Sequence, residues 1–415
     1  MPSRFVRSVH LGLVTLAIVV GCSSATDPGT GGPSSKLDAL PRALSVGEVK
    51  LVGAVNTFSF DLFRQLSAAQ KDSNVFTSPL SASMALGMAM NGAAGSTYDQ
   101  MRATLGFGTA SEQEIDESYK SLIALLRGLD PAVDVRIANS IWYRTGFPFT
   151  QSFLDAGTNW FDAQVTALDF SSPSAPTTIN TWVSTATAGK IPKIIDTIEN
   201  DQVMFLINAI YFKGSWREKF DPADTRDAPF HGVAGDQPMK LMHRHGTVGS
   251  LSTTDFAAVD LPYGNSAYTM TVVLPHAGKS IDAVAASLQA TNWATWMSQL
   301  HEGSLDVYLP RFKLEWERAL IPDLQVLGMH DPFIDNGADF SRMSPRGREL
   351  FISVVKQKTY VDVNEEGTEA AAVTNVGISL TSAPVPFRVD RPFVFVIRER
   401  LTGTVVFMGK IVRMP

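Results

Sequence analysis

The chain has one cysteine, Cys22, among 415 residues, and this scarcity excludes an intramolecular disulfide. Stability must come from burial, for which 45% hydrophobic residues are ample. Long apolar stretches are also lacking, since the run over residues 9–20 is shorter than the roughly 20 residues that a membrane-spanning helix needs. Basic residues are fewer than acidic ones, 35 against 41, so no basic face for nucleic acid is implied.

Motifs of catalytic and nucleotide-binding sites are missing as well. The segment GNSAY at residues 264–268 lacks the final glycine of a nucleophile elbow, and AGKS at 277–280 follows Val273 where a phosphate-binding loop needs its first glycine. His243 and His245 could share one face of a strand and contact a metal, but no third ligand clusters with them, so we interpret them as surface histidines. The sequence thus predicts a protein that is not an enzyme and uses neither a metal nor another cofactor.

The N-terminus reads as an export signal. Arg4 and Arg7 precede the apolar run, which ends in VVGC, and small residues followed by cysteine resemble a bacterial lipoprotein signal. We therefore expect residues 1–21 to be removed and Cys22 to be acylated, which would anchor the chain to a membrane in the periplasm or at the cell surface. An ordinary signal peptide is the alternative. Residues 22–44, rich in Ser, Gly and Pro, are predicted to be a flexible tether.

The pattern over residues 45–415 predicts an α+β fold. Ser45 and Glu48 form a capping-box pattern ahead of one helix, and the helix after Pro79 is apolar nearly all round, which predicts burial. Strand patterns come later, at residues 203–212 and in a hairpin formed by 393–399 and 404–412. Helices followed by strands, without regular alternation, favour α+β over a doubly wound sheet.

One segment, residues 364–387, could be a strand but has no obvious place in a sheet. Written as a strand from residue 368, it alternates between two faces. One face carries Thr368, Ala370, Ala372, Thr374, Val376 and Ile378, and none of these side chains is charged. The sole acid, Glu369, lies on the other face. Such a segment can enter a sheet and bury one face without burying an ion.

Seven blocks of sequence resemble the serpin family, in serpin order. They are NVFTSPLSASMALGMAMNGAAGSTYDQM (74–101), INTWVSTATAGKI (179–191), LINAIYFKGSW (206–216), LPRFKLE (309–315), NGADFS (336–341), EEGTEAAA (365–372) and RPFVFVIRERLTGTVVFMGKI (391–411). The resemblance implies a serpin fold over residues 45–415, with three β-sheets, about nine helices and an exposed reactive-centre loop at about 365–387.

The same resemblance implies a function. A serpin inhibits a serine protease as a monomer: the protease cleaves the loop, and the loop then inserts into the main sheet and traps the covalent acyl-enzyme. Spacing from both flanking motifs places the reactive bond at Thr381 and Ser382, with a shift to Leu380 as the alternative. A small residue before the bond suits elastase-like targets, and the shift would suit chymotrypsin-like or subtilisin-like ones. A non-inhibitory serpin with a binding or structural role, or an inhibitor of cysteine proteases, is the competing hypothesis.

Supporting residues are also implied by the resemblance. The loop hinge comprises Glu365, Gly367, Thr368, Glu369, Ala370, Ala371 and Ala372. Ser78 and Asn208 match the shutter beneath the main sheet, Trp216 matches the breach where insertion begins, and Arg311 is placed to pair with Glu365. Gln357 stands where serpins commonly have a shutter histidine, and we expect it to keep the hydrogen bonds but lose any pH sensitivity.

Overall fold

The computed structural model describes Met1, residues 35–368 and residues 385–415. The predicted signal peptide, lipidation site and reactive bond therefore lie outside the described residues, together with most of the predicted hinge. They comprise Cys22, Glu369, Ala370, Ala371, Ala372, Leu380, Thr381 and Ser382. The described part of Pro33–Pro415 is one compact unit.

Nine α-helices occur in the described residues, in line with the predicted number. They are α1 (Val46–Ala69), α2 (Pro79–Met90), α3 (Gly95–Thr104), α4 (Glu112–Gly128), α5 (Gln151–Phe161), α6 (Ala175–Ala186), α7 (Ile281–Ser287), α8 (Ala290–Ser298) and α9 (Ile321–Val326). The capping box of Ser45 and Glu48 is present at the start of α1. α2 begins at Pro79 behind the N-cap Ser78 and is buried along almost its whole length, as its apolar sequence predicts.

Fourteen strands complete the described fold. They are β1 (Val75–Thr77), β2 (Val133–Arg144), β3 (Ala163–Leu168), β4 (Met204–Ser215), β5 (Arg226–Gly232), β6 (Gly235–Ser252), β7 (Phe256–Pro262), β8 (Tyr268–Pro275), β9 (His301–Ala319), β10 (Lys356–Asn364), β11 (Gly367–Thr368), β12 (Phe387–Arg388), β13 (Phe393–Glu399) and β14 (Val405–Ile411). The predicted hairpin near the C-terminus is the antiparallel pair β13 and β14. The α+β class is confirmed.

The strands fall into three groups. One group contains β1, β14, β13, β8 and β7, a second contains β5, β6, β12 and the first half of β9, and a third contains the second half of β9, then β10, β11, β4, β2 and β3. We call the third group the main sheet. β9 joins the second group to the main sheet because residues 301–311 pair with β6 whereas residues 312–319 pair with β10. Residues 249–252 of β6 pair with β7 and join the first two groups, so all the described strands form one hydrogen-bonded network.

The main sheet lies between two apolar layers. Ile210 and Phe212 of β4 belong to the large core that also contains α2. The alternate residues of β4, Ile207 and Ala209, pack with Ile179 of α6 in a second cluster. Alternation along a strand therefore gives the main sheet an inner face toward α2 and an outer face toward α6.

Residues 35–44 differ from the predicted tether, because they are docked on the fold. The Leu37 N–H donates to the Asn265 carbonyl at 2.7 Å, and the Arg42 guanidinium binds the buried Glu48 carboxylate. Leu37, Leu40 and Leu44 pack against the core. The Ser, Gly and Pro residues that suggested a tether are concentrated before this segment, at residues outside the described part of the chain.

Candidate functional site

A cleft in the main sheet separates β4 from β10. Within the described residues, β4 pairs with β2 along one edge, and β10 pairs with β9 along one edge. β4 and β10 are linked to each other only through the two residues of β11. At the other end of the cleft lies a cavity of about 200 Å³, lined by residues 204–208 of β4, residues 355–358 and Ala85 and Leu86 of α2. The two facing edges are therefore backbone edges that a further strand could pair with.

β11 occupies the top of this cleft. Gly367 pairs with Asn364 of β10 on one side and Ser215 of β4 on the other, and Thr368 is the next residue in the same register. Gly367 has φ of +151°, and a Cβ atom added there would lie 2.1 Å from the Gly214 carbonyl oxygen. Only glycine fits this approach, which explains the residue at the start of the hinge.

The Thr368 side chain points to the inner face of the sheet. Its hydroxyl lies 2.8 Å from the hydroxyl of Tyr263, and both residues are buried. Burial raises the pKa of the Tyr263 hydroxyl well above its ordinary value, so this group stays protonated and is able to donate. The Tyr263 ring stacks on Trp216 at 4.4 Å between ring centroids.

Trp216 itself holds the turn that leads into β11. Its indole Nε1 donates to the Asn364 carbonyl at 2.9 Å, and its backbone N–H donates to the Glu366 carbonyl at 2.8 Å. The structure thus brings Trp216 and Thr368 together through Tyr263, a residue that sequence reasoning missed. Its only local signal was its place in the turn segment LPYGN, because the contact with Thr368 is made across 105 residues of sequence.

Two carboxylates lie at the base of the loop. Glu365 is nearly buried and lies 3.7 Å from Arg311, whose side chain is 50% exposed. Its other oxygen accepts from the Thr225 hydroxyl at 2.9 Å. Glu366 pairs with Lys219 at 2.7 Å. Because solvent screens Arg311, we expect its pair with Glu365 to contribute about 0–1 kcal/mol and to act mainly in placement.

The predicted shutter residues lie beneath the cleft in two hydrogen-bonded sets, which Ser81 links because its N–H donates to the Ser78 hydroxyl and its hydroxyl donates to the Asn208 carbonyl, both at 3.4 Å. In the first set, the Gln357 amide donates to the Ser78 carbonyl at 2.7 Å and accepts from the Thr77 hydroxyl at 2.6 Å and the Ser78 N–H at 3.1 Å. The Ser78 hydroxyl donates to the Val406 carbonyl at 2.8 Å. Gln357 therefore uses both its donor and its acceptor, which couples β10 to the start of α2.

Asn208 belongs to the second set. Its Nδ2 donates to the Asn139 Oδ1 of β2 at 2.5 Å, and Asn139 in turn donates to the Phe161 carbonyl at 2.6 Å. The buried Oδ1 of Asn208 has no hydrogen-bond partner among the described residues. An unsatisfied buried acceptor at the edge of the cleft costs about 1–3 kcal/mol unless a donor reaches it.

The two histidines considered as metal ligands lie on β6, away from the cleft. His243 stacks on Tyr308 and lies 2.9 Å from an oxygen of Asp306, while the His245 imidazole contacts the Ser304 hydroxyl at 2.8 Å. In the part of the chain that the structure describes, no group of three or more His, Cys, Asp or Glu side chains is arranged to hold a metal ion.

None of the described helices is long and apolar enough to cross a membrane.

Comparison with known proteins identifies the family. The family model described as serpin (serine protease inhibitor) matches residues 53–414, which is most of the chain. The chain belongs to the serpin family. Serpins are in general protease inhibitors and not catalytic enzymes, and their family partners are target proteases.

Relatives of this serpin include inhibitors and other members. It is 34% identical to human leukocyte elastase inhibitor over 87% of this chain and 98% of that protein. A serpin-like protein of Thermococcus kodakarensis is 31% identical over 97% of this chain and 98% of its own length. The solved structure of the thermophilic serpin tengpin in its native state is similar, with a TM-score of 0.80 and 29% identity over 91% of this chain and 97% of tengpin. The structure of human thyroxine-binding globulin complexed with thyroxine is also similar, with a TM-score of 0.81 and 28% identity over 89% of this chain and 100% of that chain.

Proposed function

We propose that this serpin is a suicide-substrate inhibitor of serine proteases, in which the cleaved reactive loop inserts as a strand between β4 and β10. The observation that carries the proposal is β11, since the first residues of the loop already pair with both strands at the top of the cleft. The cleft continues below β11 as two facing edges above a cavity. Insertion would therefore extend a ladder that already exists.

The register of β11 assigns a position to each residue of the proposed inserted strand. Gly367 lies opposite Ser215 and Asn364, and continuing this antiparallel register places Ala372 between Ile210 and Thr359. Because the Thr368 side chain points to the inner face, every second residue after it would also point inward. This is the set of residues whose side chains are all uncharged. Insertion of the loop would therefore bury no charged side chain on the inner face.

Continued further, the same register would place Thr374 between Asn208 and Gln357, which belong to different shutter sets. The Thr374 hydroxyl could then donate to the Asn208 Oδ1, which lacks a partner among the described residues. One inserted threonine would thus supply the donor that the Asn208 side chain lacks.

The covalent step follows from the proposed reactive bond. The protease serine attacks the Thr381 carbonyl, the peptide bond to Ser382 breaks, and the new amine of Ser382 takes the proton. Insertion of the roughly 13 residues after Thr368, up to and including Thr381, at about 3.3 Å each, would move the tethered protease roughly 40 Å. A displacement of about 1 Å at a protease active site can slow its chemistry about 100-fold, so the ester persists. Thr381 suits elastase-like targets, and cleavage after Leu380 would suit chymotrypsin-like or subtilisin-like ones.

A protease panel combined with a matched pair of variants tests this function. We expect the wild-type protein to form an adduct with an elastase-like protease that survives denaturing electrophoresis. Ala372→Glu would put a carboxylate against Ile210 on the inner face, which should block insertion and give a cleaved loop without adduct. Ala371→Glu is the control, because the register places residue 371 on the outer face beside Tyr211 and Tyr360.

The outer face suits that control because cations already lie over both tyrosine rings, Arg136 at 5.4 Å from Tyr211 and Lys190 at 5.2 Å from Tyr360. Equal adduct yields from the two glutamate variants would contradict the proposed register. Cleavage without adduct by every protease would contradict inhibition itself. That second outcome would favour a binding role, such as the name of the structurally similar thyroxine-binding globulin indicates for that protein.

We also propose that the serpin is exported and anchored through an acylated Cys22, a proposal that rests on the signal sequence alone. The experiment is expression in a bacterium fed labelled palmitate, with Cys22→Ser as the control. The wild-type chain should carry label and sediment with membranes, and the variant should do neither. A Cys22→Ser chain that still sediments with membranes would contradict the anchor.

A further inference from the structure

Residues 35–44, here called the strap, are attached to the fold at both ends. At the C-terminal end, the Arg42 guanidinium donates to both oxygens of Glu48, at 2.6 and 2.8 Å, and to the Ser121 hydroxyl at 2.7 Å. Glu48 is 1% exposed, and the hydrogen bonds from Arg42 lower the pKa of its carboxyl to about 2. This end of the strap is therefore fixed to α1 and α4 by a charged pair that persists at every ordinary pH.

At the N-terminal end, the strap binds the turn between β7 and β8. The Leu37 N–H donates to the Asn265 carbonyl at 2.7 Å, and the Arg400 guanidinium donates to both the Leu37 carbonyl and the Ser266 carbonyl, the latter at 2.8 Å. Lys36 adds an ion pair with Glu302 at 2.9 Å. Arg400 thus holds the strap and the turn together.

The turn needs such support because its backbone is strained. Ser266 has φ of +71°, a left-handed conformation that is unfavourable for a residue other than glycine. The Asn265 N–H donates to the buried Asp130 carboxylate at 2.7 Å, so the turn is held from below as well as by the strap. Loss of one of these attachments would allow the turn to relax.

The turn begins at Tyr263, which contacts the hinge directly. The Gly264 N–H donates to the Ser215 carbonyl at 2.9 Å, and the Tyr263 side chain stacks on Trp216 and bonds Thr368. A short series of direct contacts therefore leads from Leu37 through the turn to Thr368. We propose that the strap is a positioning element for the reactive loop, which keeps β11 paired at the top of the cleft by holding the turn that carries Tyr263.

The proposed role in loop insertion rests on the proposed function, but the series of contacts that leads from the strap through the turn to the hinge does not. A strap held in place would keep the first step of insertion complete before any protease arrives. Loss of the strap would shift β11 toward an unpaired state, and the proportion of loop that is cleaved without trapping should rise.

Hydrogen exchange in two truncated proteins tests the proposal. One protein begins at Ser35 and keeps the whole strap, and the other begins at Ala43 and lacks residues 35–42 of it while retaining the capping box at Ser45. We expect the backbone amides of Trp216 and Thr368 to exchange about 10-fold faster without the strap, with β13 and β14 unchanged. A peptide of residues 35–42, SKLDALPR, added to the shorter protein should restore the slow exchange, and a scrambled peptide should not.

The outcomes separate the proposal from general destabilisation and from failure of inhibition. Equal exchange at Trp216 and Thr368 in the two proteins would overturn it. Faster exchange throughout the core, without rescue by the peptide, would also overturn it, since the strap would then be ordinary packing. Because exchange is measured without protease, the result stands whether or not an adduct forms.

Discussion

Substitution of Gly367 by alanine gives the sharpest test of the paired hinge. A Cβ atom at this position would lie 2.1 Å from the Gly214 carbonyl oxygen and 2.7 Å from the Ser215 Cα, both backbone atoms of β4 that cannot rotate away. The φ of +151° is also unfavourable for alanine. We therefore expect β11 to leave the cleft in the Gly367→Ala protein.

The size of the effect follows from the contacts that β11 would lose. Withdrawal breaks its backbone pairing with β4 and β10 and the hydrogen bond between Thr368 and Tyr263. At about 1 kcal/mol net for each of roughly three hydrogen bonds, the paired state loses about 3 kcal/mol. The backbone amides of β11 should therefore exchange about 100-fold faster than in the wild-type protein.

Gly235→Ala is the matched control. Gly235 also has a positive φ, +102°, but a Cβ atom there would have no neighbour within 4 Å. This variant carries the backbone strain without the collision, so its β11 amides should exchange at the wild-type rate. If Gly367→Ala protected β11 as well as Gly235→Ala does, the close approach to β4 would not be what selects glycine at the hinge.

Two pH-dependent predictions concern buried side chains. Burial raises the pKa of the Asp116 carboxyl, which lies beside Asn91, to about 7. The stability that the protonated carboxyl contributes is therefore full below pH 4 and is lost as pH rises through 7. Asp116→Asn should raise the free energy of unfolding on the order of 3 kcal/mol at pH 8 and leave the melting temperature unchanged at pH 4. The free energy of unfolding of Gln357→His should fall by about 1–3 kcal/mol between pH 8 and pH 5, because an imidazolium cannot accept hydrogen bonds from Thr77 and Ser78. A melting temperature that varies with pH in parallel with the wild-type protein would contradict this.

Features set by local sequence could be predicted. The capping box at Ser45 and the buried α2 follow from a few neighbouring residues. Of the uncharged loop face predicted from alternation, only Thr368 lies in the described residues, and its side chain points inward. The family resemblance supplied the positions of Trp216 and Gln357, and the structure places both around the cleft.

Features set by distant contacts could not be predicted. Tyr263 contacts Thr368 only because the turn after β7 lies against β11 in the folded chain, and no spacing in the sequence indicates that contact. The docking of the strap was not predicted, because the Ser, Gly and Pro residues of the preceding segment dominate the composition of residues 22–44. The signals that could have found it were Leu37, Leu40 and Leu44, spaced as an apolar face, with Arg42 among them.

The sharing of β9 between two groups of strands limits what an uncut loop can do. β12, which follows the loop, pairs with Val307 and Tyr308 of β9, only a few residues before Phe312 pairs with the top of β10. If some 13 residues descended the cleft to Thr381, only about six would remain to climb back to Phe387, a reach of roughly 20 Å against a return of roughly 40 Å. An intact loop could finish that descent only if β12 separated from β9, whereas scission of the chain would allow full entry with β12 still paired.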